Sequence, residues 1–84
     1  MIDDLEIVRE TLRALAIDRV IPRDILETRL EGTTRLEDLA IDSIGKLAVL
    51  NELEARSGVL LDERRLADCA TLGDLAACIG RSRG

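Results

Sequence analysis

The sequence contains no histidine and no phenylalanine, tyrosine or tryptophan. Without histidine the chain lacks the usual general base at neutral pH and the commonest metal ligand in proteins. Neither a Ser-His-Asp nor a Cys-His catalytic site can therefore be built from this chain alone. Without aromatic rings, no side chain can stack on a nucleic-acid base or form an aromatic cage.

Cysteine is also scarce, with only Cys69 and Cys78 in the chain. They form no CxxC motif and have no second ligand cluster, so we predict no metal site. We interpret both as small, buried apolar residues, with a disulfide as the alternative. The acidic amino-terminal segment is no signal peptide, and no apolar run is long enough to cross a membrane. The sequence therefore predicts a cytoplasmic protein without a membrane partner.

Acidic side chains outnumber basic ones by 17 to 12 over 84 residues, which gives a formal net charge of −5. An acidic surface is repelled by phosphate backbones, so we predict no nucleic-acid partner. The length fits a single domain, residues 1–84, that is too small for a large enclosed active site. A carrier or accessory domain is therefore favoured over an enzyme.

The apolar residues are mainly Leu and Ala, which favour helices over sheets. Their spacing predicts an all-α fold, a small bundle of three to four helices with a long first loop. The first helix is predicted from Asp3 to Ala16, capped by Asp3 or Asp4. A connection over 17–41 follows, in which Pro22 limits helix continuation and Asp24 caps a short piece from Ile25 to Leu30.

The second half of the chain carries clearer signals for helix ends. Asp42 is predicted to cap a helix that runs to Arg56, with Gly58 as a left-handed stop. The segment Val59-Leu60-Leu61 is then expected to re-enter the core before a short third helix over 62–67. A last helix is predicted from Thr71, capped with Asp74, to Gly80, and residues 81–84 are expected to be a disordered tail.

One serine, Ser43, is predicted to occupy the first turn of a helix directly after the long loop. The surrounding sequence is Leu39-Ala40-Ile41-Asp42-Ser43-Ile44. Backbone N–H groups at a helix N-terminus are unpaired and carry partial positive charge, so a phosphate on this serine would be stabilised. The alternative interpretation of Asp42-Ser43 is an ordinary helix cap.

This pattern resembles the acyl and peptidyl carrier proteins, whose signature is Asp-Ser-Leu or Asp-Ser-Ile at the start of the second helix. Here the matching residues are Asp42, Ser43 and Ile44, with Leu39 three residues before the Asp. The resemblance covers about residues 3–80. It includes the long first loop, Asp38-Leu39, the Leu-Asn-Glu-Leu-Glu stretch over 50–54 and the Thr-Leu-Gly-Asp-Leu entry into the last helix over 71–75.

The resemblance implies that Ser43 receives a 4′-phosphopantetheine group from coenzyme A, transferred by a Mg²⁺-dependent phosphopantetheinyl transferase. The thiol of this arm would hold an acyl or aminoacyl cargo as a thioester, while the carrier itself catalyses nothing. Asp42 would act both as the helix cap and as part of the surface that the transferase recognises, with Ile44 beside it. The further partners implied are an acyl- or aminoacyl-loading enzyme and acyltransferase or synthase enzymes.

A helix with 100° per residue divides the second helix into two faces. The predicted buried stripe contains Leu47, Val49, Leu50 and Leu53. The opposite, exposed face is where members of the resembled family dock their partners, and here it contains Ile44, Ala48, Asn51, Glu52 and Ala55. We expect partners to read this face through its apolar and neutral residues more than through charge.

Lys46 is the only lysine, and the same projection turns it toward the apolar stripe. Its stem is then interpreted as covering the core. The alternative hypothesis is that its ammonium contacts the phosphate of the arm or a polar cargo, because it lies three residues after Ser43.

Few acids lie on the second helix, since Gly45 and Ala48 occupy positions that are often acidic in fatty-acid carriers. We therefore favour a discrete, monomeric carrier in polyketide or hybrid secondary-metabolite biosynthesis, the setting of polyketide, nonribosomal peptide and antibiotic assembly. A start at Met1 and an end soon after the last helix favour a stand-alone protein. The alternatives are a carrier in fatty-acid synthesis and a helical protein-interaction domain without a prosthetic group.

Overall fold

The computed structural model describes residues 3–83, which form four α-helices and two 3₁₀ helices and no β-strand. The α-helices are α1 (Asp4–Ile17), α2 (Ser43–Ser57), α3 (Glu63–Ala67) and α4 (Leu72–Arg83). The 3₁₀ helices span Arg23–Glu27 and Leu36–Leu39, both in the connection between α1 and α2. The predicted all-α fold with a long first loop is confirmed. No helix in this part of the chain is both long and apolar enough to span a membrane.

A single aliphatic core holds the helices together. Within α1, Val8 and Leu12 are fully buried, and they meet Leu53 of α2 together with Leu72 and Ile79 of α4 in one cluster. The predicted cap of α1 also forms: the carboxylate of Asp3 accepts a hydrogen bond from the Glu6 amide at 2.8 Å. Gly58 ends α2 with a positive φ of 72°, the conformation that glycine adopts without steric cost.

The first loop is more structured than the sequence predicted. The helical piece is a 3₁₀ helix over Arg23–Glu27 that follows Pro22, so the predicted helix from Ile25 to Leu30 is wrong, as is the cap at Asp24. Pro22 fixes the backbone at the position before the turn, and Thr28 is already extended, so the helix cannot reach Leu30. The second 3₁₀ helix, Leu36–Leu39, was not predicted; it buries its first and last leucines.

The middle of this loop is joined to the start of α4 by backbone hydrogen bonds. The amides of Leu72 and Gly73 donate to the carbonyls of Thr34 and Gly32, at 3.0 and 2.8 Å. The two glycines approach so closely that a Cβ on Gly73 would lie 2.9 Å from the Gly32 carbonyl oxygen. The middle of the loop is thereby anchored to α4, and its last residues lead into α2.

Two expectations for the second half of the chain are wrong. Helix α4 continues past Gly80 to Arg83, and Arg65 donates a hydrogen bond to the Ser82 hydroxyl at 3.0 Å, which ties this last turn to α3. Residues 81–83 of the predicted tail are thus helical, and Gly84 lies outside the described residues. Leu60 does not enter the core but is 88 % exposed, since only its neighbours Val59 and Leu61 pack inward.

Candidate functional site

The first turn of α2 is capped but leaves backbone donors free. The Asp42 carboxylate accepts from the Gly45 amide at 2.7 Å, and the Asp42 carbonyl accepts from the Lys46 amide at 2.8 Å. Within residues 3–83, the amide hydrogens of Ser43 and Ile44 have no acceptor. These unpaired donors carry the positive end of the helix dipole, so the start of α2 can accept an anion.

Ser43 differs from the other two serines in what its hydroxyl contacts. The Ser57 hydroxyl donates to the Leu53 carbonyl at 2.6 Å, and the Ser82 hydroxyl accepts from Arg65. Ser43 is exposed, and its hydroxyl has no hydrogen-bond partner among the described residues. Its hydroxyl is therefore the one that an external enzyme can reach without breaking a contact.

Gly45, the third residue of α2, belongs to the same turn as Ser43 and lies in close contact with the first loop. A Cβ on Gly45 would come within 2.7 Å of a methyl group of Ile41 and 3.2 Å of a methyl group of Ile21. The absence of a side chain thus allows the loop to pack against the first turn of α2. The first loop therefore packs against one side of the turn that carries Ser43, and Ser43 itself is exposed on the other side.

The residue that leads into this turn has a left-handed backbone. Ala40 has φ 54° and ψ 37°, a conformation that costs residues with a Cβ roughly 1–2 kcal/mol. Ala40 therefore adopts a turn that a glycine would adopt without this cost.

A shallow hollow opens beside Ser43, between α2 and α3. It is lined by Ser43, Lys46, Leu47, Glu63, Leu66 and Ala67. Lys46 is one of its lining residues and is exposed as a whole residue. This exposure fits both a stem that covers the core and an ammonium that reaches the arm, so each of the two interpretations stays a prediction. The α3 residues of the hollow were not predicted, because nothing local in the sequence indicates which helix α3 faces.

The structure changes one member of the predicted buried stripe of α2, because Gly45 is buried there instead of Leu47. Gly45, Val49, Leu50 and Leu53 are the buried residues, whereas Leu47 is 43 % exposed because it borders the hollow. Of the predicted partner face, Ile44, Asn51 and Ala55 are exposed, with Ile44 at 76 %. The other two predicted members are only partly accessible, since Ala48 packs against the core and Glu52 is half-buried in an ion pair with Arg56.

Comparison with protein families gives this geometry a context. Residues 5–79 match the family described as a phosphopantetheine attachment site. The chain belongs to the phosphopantetheine-binding family. Members of this family attach 4′-phosphopantetheine covalently and interact with the enzymes that modify and use them. No curated protein and no solved structure shows a significant match to the chain.

The residues present fit this group. Attachment requires an accessible hydroxyl, and a phosphate diester beside it requires a place for its negative charge. Ser43 would supply the hydroxyl, and the free amides of Ser43 and Ile44 with the exposed Lys46 would take the charge. The group would supply a thiol for cargo, held at the start of α2.

Proposed function

We propose that this chain is a non-catalytic carrier protein that bears 4′-phosphopantetheine on Ser43. The arm holds an acyl or aminoacyl intermediate as a thioester and presents it to partner enzymes. The observation that carries this proposal is the exposed, unpaired Ser43 hydroxyl at a helix start with two free amides. A helical interaction domain without a prosthetic group would give no reason for this combination.

Intact-mass measurement after incubation with coenzyme A, Mg²⁺ and a broad-specificity phosphopantetheinyl transferase tests the attachment site. We expect one phosphopantetheine adduct on the parent and on Ser82→Ala, and none on Ser43→Ala. An unmodified parent whose helical circular dichroism is intact would contradict the proposal and favour the interaction domain.

We further propose that partners dock on an apolar patch around Ser43 rather than on an acidic helix. This patch consists of Ile44 and Leu47, which are exposed, with Asn51 and Ala55 following on the same face. The first turn of α2 carries no acid and has Lys46 instead. This charge pattern supports a role in polyketide or hybrid secondary-metabolite assembly over fatty-acid synthesis.

The patch is tested by kcat/KM for cargo loading with a cognate loading enzyme. Ile44→Ala is expected to lower this value roughly tenfold, since exposed apolar anchors often contribute more than 1 kcal/mol to docking. Leu60→Ala is the matched control, because Leu60 is exposed but follows the other end of α2. A steep fall of kcat/KM with salt in the parent would instead indicate charge-driven docking.

Lys46 is proposed to contact the arm, at its phosphate or at a polar cargo. It shares the hollow with Ser43, and it takes part in no ion pair within the described residues. Lys46→Ala should slow cargo transfer and Lys46→Arg should restore much of the rate, because the positive charge returns. Equal transfer rates for Lys46→Ala and the parent would contradict the contact.

A further inference from the structure

The two cysteines line one hollow between the segment after α3 and helix α4. Arg65 of α3 donates to Ser82 of α4 at 3.0 Å. Cys69 lies one helical turn after Arg65, and Cys78 lies one turn before Ser82. Residues 68–71 are the whole connection between α3 and α4, so the Arg65–Ser82 contact folds the segment with Cys69 back toward α4, which carries Cys78.

The surroundings of the two thiols support this pairing. The Cys69 thiol donates to the Arg65 carbonyl oxygen at 3.1 Å and has Cys78 as a close neighbour. Both cysteines line the same hollow, which is completed by Arg65, Asp68, Asp74 and Arg81. Both thiols are free. Cys69 is half-buried, whereas Cys78 is only 5 % exposed.

We propose that Cys69 and Cys78 are a redox-modification site that closes to a reversible intramolecular disulfide. The bond would tie the segment after α3 to the middle of α4. Leu66 and Ala67, which line the hollow beside Ser43, lie directly before this segment. Oxidation would thus fix the α3 wall of that hollow without touching Ser43 itself.

A low-molecular-weight disulfide such as oxidised glutathione can serve as the oxidant. The thiolate of Cys69, the more accessible of the two, attacks one glutathione sulfur and expels a glutathione thiolate, which takes up a proton. The thiolate of Cys78 then attacks the Cys69 sulfur of the mixed disulfide and expels the second glutathione. Two protein thiols are oxidised and one glutathione disulfide is reduced to two thiols; a dithiol reductant reverses the reaction.

The surroundings of the pair make this oxidation slow at neutral pH. Burial, together with the neighbouring Cys78 and Asp74, raises the pKa of the Cys69 thiol to about 11 against a smaller opposing effect of Arg81. Only the thiolate attacks a disulfide, so the initial rate should rise about tenfold per pH unit between roughly pH 7 and 10.

The test uses the unmodified protein, whose only thiols are these two, so its outcome is independent of phosphopantetheine attachment. The reduced protein is incubated at low concentration with excess oxidised glutathione at mildly alkaline pH. We expect the intact mass to fall by two hydrogen atoms, the titratable thiols to fall from two to none, and dithiothreitol to reverse both changes.

Two variants separate the steps. Cys78→Ala should stop at a stable glutathione adduct on Cys69, and Cys69→Ala should leave the buried Cys78 largely unreacted while the fold is intact. A parent that stops at a glutathione adduct, that forms disulfide-linked dimers, or that keeps both thiols would overturn the proposal. Circular dichroism of each variant shows whether an altered reactivity comes from unfolding.

Discussion

The helices α2 and α4 both begin at a capped turn, yet they use their backbone donors differently. At α4 the amides of Leu72, Gly73, Asp74 and Leu75 all have acceptors, two in the first loop and two on Thr71. At α2, within the described residues, the amides of Ser43 and Ile44 have none. The first amides of α4 are thus satisfied by the protein itself, and we call this helix start the closed end. The first two amides of α2 have no acceptor among the described residues, and we call that helix start the open end.

The side-chain charges also distinguish the two helix starts, since α4 has an acid in its first turn and α2 has none. The Asp74 carboxylate lies in the first turn of α4 and accepts hydrogen bonds from the Ala70 and Thr71 amides. The first turn of α2 contains no acid and includes the cation Lys46. Since an anion stabilises a helix N-terminus, α4 carries its own anion, whereas α2 can gain one from a phosphate. The closed helix start therefore anchors the loop, and the open one is the end suited to carry the arm.

The largest expected effect comes from forcing the closed end apart. In Gly73→Ala the new Cβ would lie 2.9 Å from the Gly32 carbonyl oxygen, a backbone atom that cannot move away without shifting the loop. We expect the free energy of unfolding, measured by urea denaturation, to fall by about 1–3 kcal/mol. Gly80→Ala is the control in the same helix, because its nearest neighbour is a side-chain oxygen of Asp4. Equal losses in both variants would contradict the close approach as the cause.

Removal of the Asp42 cap at the open end should lower the free energy of unfolding by less than Gly73→Ala does. Asp42→Ala loses the bond to the Gly45 amide, and we expect a loss of about 1 kcal/mol in the free energy of unfolding. Asp42→Asn keeps an acceptor and should keep most of that stability. If the Asp42→Asn variant remained fully stable but was modified slowly by the transferase, the charge of Asp42 would belong to recognition; unchanged modification would restrict Asp42 to capping.

The left-handed residue before α2 offers a gain in stability. Ala40→Gly removes the Cβ from a residue at φ 54° and should raise the free energy of unfolding by about 1 kcal/mol. Ala48→Gly in the middle of α2 is the control and should lower it by a similar amount. A loss in both variants would mean that Ala40 is not strained in solution.

The charge at the closed end should appear in the pH dependence of stability. Hydrogen bonds from the Ala70 and Thr71 amides hold the pKa of the Asp74 carboxyl below its ordinary value. The ionised form therefore stabilises the fold above that ordinary value, and this stability is lost as the pH falls through the lower, folded-state pKa. Asp74→Asn should be less stable than the parent at neutral pH and should converge with it in strong acid. A constant difference across the acid range would exclude this linkage.

The helix ends that depend on local chemistry could be predicted from the sequence. The carboxylates of Asp3 and Asp42 each accept from an amide in the turn that follows, and Gly58 ends α2, as expected. Each of these features involves residues within a few positions of one another, so its signal is contained in a short stretch of sequence.

The features that depend on distant contacts could not be predicted. Gly80 looks like a stop, but α4 continues because Arg65 holds Ser82 from another helix. Leu47 has the periodicity of a core residue, but it is partly exposed because α3 leaves a hollow beside it. The position of Ser43 followed from its motif, whereas the residues around its hollow required knowledge of where α3 lies.

The smallest expected effect comes from a variant that gives the open end an acid in its first turn, as the closed end already has. Ile44→Glu places a carboxylate in the first turn of α2 at a site that is 76 % exposed, so little packing is lost. We expect the unmodified protein to gain about 0.3–1 kcal/mol in unfolding free energy at low salt, and less at high salt because the interaction is screened. Leu60→Glu, which adds the same charge at an exposed site beyond the other end of α2, should show no such gain.

The same variant tests whether the phosphate of the arm satisfies the open end of α2. Attachment of phosphopantetheine should raise the thermal midpoint of the parent more than that of Ile44→Glu. In that variant a carboxylate already balances the partial positive charge of the free amides. Comparison of modified and unmodified protein at low and high salt measures this difference. An equal rise in both proteins would mean that the phosphate points away from the helix start, and Lys46 would then be its nearest cation.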